Sequence, residues 1–179
     1  MDPFTTHVTI DHPREALFGY LADVANLTEF CDHFISDARL LREESLGRGA
    51  GIRFQVDRAR FNRFPWADLT WVEVEEPRRL VGVGRMGKFN RIRVLYEWSL
   101  EPGAGSTTRV SLTVRTQPKT PTDRLIESVG TARRLRRGWT KALKRLRTIF
   151  EEDRGRGERV TIAGGPRKPA TPLHPLARR

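Results

Sequence analysis

The chain has 179 residues, with 37% hydrophobic and 31% charged side chains and a formal charge of +11. That is enough for one domain with a real core, too short for two ordinary ones, and without the depletion of apolar residues that marks disorder. No run approaches the roughly 18 apolar residues of a membrane span, and the polar stretch Met1 to Ile10 with Asp2 does not read as a signal peptide, so a cytoplasmic location is expected by default. Cys31 is the one cysteine, and His7, His12, His33 and His174 show no ligand spacing, so neither an intramolecular disulfide nor a metal site is expected, and no cofactor.

Thr6 to Ile10 alternates as an edge strand does. Asp11-His12-Pro13 then reads as a stop and a helix start, with Asp11 or His12 as cap, Pro13 in the first turn and Glu15 near the helix N-terminus. Ala16, Leu17, Tyr20, Leu21 and Val24 form the stripe of that helix, and a second short helix is expected near Leu27 to Phe34, opened by Asn26 or Thr28. From Asp37 the period changes to two. Strands are expected over Ala38 to Glu43, through Ile52, Phe54 and Val56 after the Gly47-Arg48-Gly49-Ala50-Gly51 turn, over Asp68 to Glu75, and over Leu80 to Met86. A basic-aromatic loop, Arg58 to Pro65, interrupts them.

The clearest half-buried strand follows, with Ile92, Val94, Tyr96, Trp98 and Leu100 alternating with Arg91, Arg93, Leu95, Glu97 and Ser99. A Pro102 to Ser106 turn joins it to Val110, Leu112 and Val114. Pro118 and Pro121 end the sheet. Leu125, Val129, Ala132, Leu135, Trp139, Leu143, Leu146 and Phe150 then recur at steps of three or four along one face of a helix, from Thr122 to about Phe150, spanning roughly 45 Å if continuous. Gly130 and Gly138 inside it weaken it, and either bending or room for a bound molecule would account for them. The domain is expected to occupy residues 1–153. Residues 154–179, where seven Arg or Lys against one Glu hold more than half of the net charge, read as a flexible Gly/Pro-rich tail.

Strand, two short helices, a meander of about six strands and one long helix is the order of the START-like (SRPBCC) superfamily, and the chain resembles it from about Thr6 to Asp153. The resemblance is carried by Val8-Thr9-Ile10-Asp11-His12-Pro13 with Glu15, Leu17, Phe18 and Leu21, and by the Gly47 to Gly51 turn. Trp71-Val72-Glu73-Val74-Glu75-Glu76-Pro77-Arg78-Arg79-Leu80, Tyr96-Glu97-Trp98-Ser99-Leu100-Glu101-Pro102 and Thr107-Thr108-Arg109-Val110 agree as well. It implies an α+β helix-grip fold, shared by birch-pollen-allergen-like proteins, lipid-transfer domains and polyketide cyclase/dehydrase proteins. A curved antiparallel sheet of six to seven strands would be crossed by the C-terminal helix over a cavity for a small hydrophobic molecule.

Phe54, Trp71, Tyr96, Trp98, Leu135 and Trp139 are the residues expected to line that cavity, and shortening Trp139 is expected to change ligand affinity more than stability. As a carrier or sequestering protein the chain would need nothing more. As a polyketide aromatase/cyclase it would need a polar guide for an enolate oxygen, for which Arg85, Tyr96 and Glu73 are the candidates. For Tyr96 the alternative is a core aromatic, for Arg85 a solvated strand-end arginine, and the face of Glu73 is ambiguous. Asp11 with His12, and Asp32 with His33, are neighbours on opposite faces and do not make acid–base pairs. Arg133, Arg134, Arg136, Arg137, Lys141 and Lys144 give the helix a basic outer face that suits an acidic carrier protein or an anionic membrane. A basic module contacting RNA or ribosome is a further reading, although the aromatic interleaving of a single-strand binding platform is missing.

Overall fold

A computed structural model describes residues 2–56, 64–126 and 132–160. Seven strands form one antiparallel sheet: β1 (Phe4–Asp11), β2 (Ile35–Leu40), β3 (Gly51–Val56), β4 (Trp66–Glu75), β5 (Arg79–Met86), β6 (Ile92–Pro102) and β7 (Thr107–Gln117). Their order is β1-β7-β6-β5-β4-β3-β2, so every strand from β2 onward neighbours the next, and β1 closes the far edge on β7. The alternation in β6 fixes the sheet's two faces. Val94, Tyr96, Trp98 and Leu100 are buried, and the register sets Tyr96 beside Val114, Trp98 beside Leu112 and Leu100 beside Val110. On the other side Leu80 lies beside Trp98 and Gly82 beside Tyr96.

Gly82 has a packing reason. A Cβ there would stand 2.2 Å from Leu69 Cδ1 and 2.8 Å from Trp71 Cζ3, so the missing side chain makes room for two large inward residues of β4.

The helices are α1 (Arg14–Ala22), α2 (Leu27–Cys31), α3 (Pro121–Ile126) and α4 (Ala132–Glu152), with a 3-10 turn at Val24–Asn26. Neither Asp11 nor His12 caps α1, which starts after Pro13 without a side-chain cap. Both expected caps have other partners: Asp11 accepts from Ser106 Oγ at 2.5 Å, and the His12 ring packs edge-on against Phe150 at 4.9 Å. α2 is shorter than expected because the chain turns after Cys31, with Phe34 N–H bonded to the Cys31 carbonyl. That turn sends the Phe34 ring into the interior, and β2 begins at once, ahead of its expected start at Ala38.

The long helix expected over Thr122–Phe150 is described as two stretches, α3 and α4, and Gly130 falls between them, outside the described residues. α4 buries Leu135, Gly138, Trp139, Ala142, Leu143, Leu146 and Ile149 along one face. It is tied to β1 by Thr6 Oγ1 and Thr140 Oγ1 at 3.1 Å and by Asp11 N–H donating to Glu151 Oε1 at 2.9 Å. A curved antiparallel sheet gripping a C-terminal helix, with short helices after the first strand, is the helix-grip arrangement that the sequence implies.

Residues 154–160, expected to begin the tail, lie against the early helices instead. Val160 N–H bonds the Ala25 carbonyl at 3.1 Å, Gly157 N–H bonds the Glu29 carbonyl at 2.8 Å, and Val160 is buried. Arg159 pairs with Asp23, and Arg156 with Glu29 at 3.0 Å. Both carboxylates are buried, so this strap supplies the countercharges that their desolvation requires.

Candidate ligand-binding interior

The interior is built where the inward rows of β3 to β7 meet α4. Trp139 is its centre: its ring lies 5.8 Å from Tyr96, 5.9 Å from Trp98 and 5.2 Å from Phe34, in edge-to-face arrangements. Phe30 extends the cluster edge-on to Trp98 at 6.3 Å. Such geometries set a positive ring edge against a negative face. Gly138 belongs to this packing, since a Cβ there would stand 2.7 Å from Phe34 Cδ2; the absent side chain admits a phenyl ring.

Every aromatic and aliphatic residue expected to line a cavity, Phe54, Trp71, Tyr96, Trp98, Leu135 and Trp139, is buried. Tyr96, Trp98 and Trp139 are in mutual contact through Trp139, Trp71 is on the same sheet rung as Tyr96 across Gly82, and Phe54 and Leu135 belong to the same core. Phe30 and Phe34 were not among the expected lining residues. The signal that points to Phe34 is Gly138, whose lack of a side chain implies a bulky neighbour.

The polar atoms of this interior are the informative ones. The indole N–H groups of Trp71, Trp98 and Trp139 are all buried, and none has a hydrogen-bond acceptor among the described residues. An indole can only donate, and a buried donor without a partner costs about 1–3 kcal/mol. Three in one interior leave room for acceptors that the described residues do not supply. Burial, with smaller contributions from Asp68 and Cys31, pushes the Tyr96 phenol well above its ordinary pKa of 10.0, so it stays protonated and able to donate.

The other expected candidates are elsewhere. Glu73 follows a bulge between Trp71 and Glu73 that adds one residue to β4 and turns it to the outer face, beside Val81 and Glu97. There it accepts from Arg79 Nη1 at 2.5 Å, and Arg79 also donates to Glu97 at 3.0 Å. Arg85 also lies on the outer face, opposite Arg93. Asp32 pairs with Arg145, and burial first, then Asp32, raises the Cys31 thiol well above its ordinary range. That thiol stays protonated and inert. Among the described residues no cluster of His, Cys, Asp and Glu is set to hold a metal.

His33, in the turn after α2, meets α4 through Nε2 and the Gly138 carbonyl at 3.0 Å, and its pKa is lowered from 6.5 by burial first and by Lys141 and Arg145 next. A base whose folded-state pKa is depressed contributes stability above its unfolded pKa that is lost as pH falls through the folded value. Urea midpoints are therefore expected to fall as pH drops from about 7 to about 5, and His33→Gln to flatten that fall. An unchanged slope in the variant would assign the loss to carboxylates.

The outer face of α4 exposes Arg133, Arg134, Arg136, Arg137, Lys141 and Lys144. No helix among the described residues is long and apolar enough to cross a membrane.

A family model described as polyketide cyclase / dehydrase and lipid transport matches residues 1–151. No curated protein matches the chain by sequence. Among solved structures, TTHA0849 from Thermus thermophilus superposes with a TM-score of 0.64 at 16% identity, over 84% of this chain and 98% of its own. The KanY protein gives 0.65 at 16% identity over 83% and 97%. DynU16, a protein in the dynemicin biosynthetic locus, gives 0.58 at 18% identity over 88% of this chain but 50% of its own, so this chain spans half of that protein's length. At such identities the likeness is one of fold.

Proposed function

Because the chain belongs to the polyketide cyclase / dehydrase and lipid transport family, we propose that it binds a small hydrophobic molecule rich in hydrogen-bond acceptors, as a carrier or sequestering protein, in the interior between the sheet and α4. The observation that carries this reading is the set of three buried indole donors, those of Trp71, Trp98 and Trp139, that have no acceptor among the described residues. A lipid tail alone would leave them unsatisfied, whereas ketone or ester oxygens along an apolar chain would accept from them. Poly-ketone chains and their cyclised products have that character.

Carriage is favoured over cyclisation by what the buried acids do. A cyclase needs a base beside the ligand to take protons from carbons next to carbonyls. The two buried carboxylates among the described residues are occupied, Asp23 by Arg159 and Glu29 by Arg156 and the Tyr20 hydroxyl. Tyr96 can orient a carbonyl by donating to it, but its raised pKa keeps it protonated at neutral pH, so it is not available as the base. The basic face of α4 is suited to bring the protein to an acidic carrier protein or an anionic membrane, through salt-sensitive contacts.

Native mass spectrometry of the protein purified from its own host tests the reading. A retained, organic-extractable molecule carrying several carbonyl oxygens is the expected result. A retained pure hydrocarbon chain, or native and denatured spectra showing the bare chain alone, would overturn it.

A further inference from the structure

The face of the sheet turned away from α4 carries a groove of about 610 Å3, a size typical of small-molecule clefts. Three arginines border it, Arg85, Arg93 and Arg115, over the apolar side chains of Val83 and Leu95, and Asp68 is the one carboxylate in its lining. The strand register assembles this set: Arg85 stands directly opposite Arg93, and Val83, Leu95 and Arg115 share the neighbouring rung. These positions alternate with Val94 and Tyr96, whose side chains fill the interior, so groove and interior are separated by the sheet.

The charges in the groove are unbalanced. Three guanidiniums share one carboxylate: no ion pair joins Arg85, Arg93 or Arg115 to an acid among the described residues, and Asp68, set opposite Arg85 by the β4–β5 register, has Arg53 at 3.6 Å. Like charges directly opposite on neighbouring strands oppose sheet formation, so the Arg85–Arg93 pair works against the fold. We propose that this groove is a second binding site, for an amphipathic anion. Its carboxylate or phosphate group engages the guanidiniums, which present paired donors matched to such oxygens, and its short apolar chain covers Val83 and Leu95. The anion relieves the repulsion that the single carboxylate of Asp68 offsets only in part.

Calorimetric titration with octyl phosphate, inorganic phosphate and octanol tests the site. Octyl phosphate is expected to bind at least about tenfold more tightly than either of the others, and Arg93→Gln and Arg115→Gln each to weaken it by about tenfold or more. The Arg93→Gln variant is expected to melt no lower than the parent, because a like-charge pair is lost. Cosedimentation with phosphatidylcholine vesicles containing phosphatidic acid separates two sources of the anion. Pelleting that Arg93→Gln abolishes assigns it to a lipid headgroup, and octyl phosphate binding without pelleting assigns it to a soluble amphipathic anion. Inorganic phosphate binding as well as octyl phosphate, or octyl phosphate affinity unchanged in both variants, overturns the proposal. Nonane-2,4-dione, a probe of the interior, should bind the Arg93→Gln variant as it binds the parent, so the groove and the interior fail or stand separately.

Discussion

A chain ended at Glu152 is expected to melt roughly 6–12 °C below one ended at Val160. The difference follows from two ion pairs. Removing residues 153–160 strips Arg159 from Asp23 and Arg156 from Glu29, whose side chains are each only 8% exposed, and uncovers the site of Val160. Orphaning a buried charge typically costs about 3–5 kcal/mol, and the partial exposure of both arginines lowers the expected total to roughly 3 kcal/mol. Thermal melts of the two chain lengths read this directly. Equal melting at Glu152 and Val160 would show that the strap contributes nothing to the fold.

The second large effect concerns Trp139. With its ring against Tyr96, Trp98 and Phe34, Trp139→Ala leaves a cavity at the centre of the core, and a loss of about 3–5 kcal/mol is expected, a large part of the stability of an ordinary domain. The expectation from sequence, that shortening Trp139 would change affinity more than stability, therefore does not extend to alanine. Trp139→Phe separates the two roles, because it keeps a packed ring and removes the N–H. Stability should then fall by about 1 kcal/mol, while affinity for an acceptor-bearing ligand such as nonane-2,4-dione falls about five- to tenfold. Unchanged diketone affinity in a folded Trp139→Phe protein would detach the indole donor from binding.

Much of the fold was legible because it rests on periodicity. The alternation of Ile92 to Leu100 and of Val110 to Val114 fixed which face of the sheet is inside, and the spacing from Leu135 to Leu146 fixed the face of α4. What was not legible depends on events without a local signature. The bulge after Trp71 inserts one residue and exchanges the faces, so Glu73 does not share the inward face of Leu69 and Trp71, and the alternation alone left that strand's faces ambiguous. Arg154 to Val160 reads as a polar tail because its partners, Asp23 and Glu29, are more than a hundred residues away.

The same limit governs the candidate sites. The interior aromatics were identifiable one by one, but their unpartnered N–H groups emerge only from packing. Arg85 alone reads as a solvated strand-end residue, and only the register sets it against Arg93 and near Arg115.

The central claim, that the interior receives a ligand through its indole donors, is tested most directly by the indole N–H resonances of the four tryptophans during titration with nonane-2,4-dione and, separately, with nonane. Trp66 is a built-in control: it lies on the outer face of β4, with the Arg53 guanidinium over its ring at 5.2 Å. Downfield shifts of Trp71, Trp98 and Trp139 with the diketone, smaller or absent with nonane and absent at Trp66, are the predicted result. Three interior resonances that stay fixed while diketone is added to saturation, or that respond equally to nonane, would contradict it.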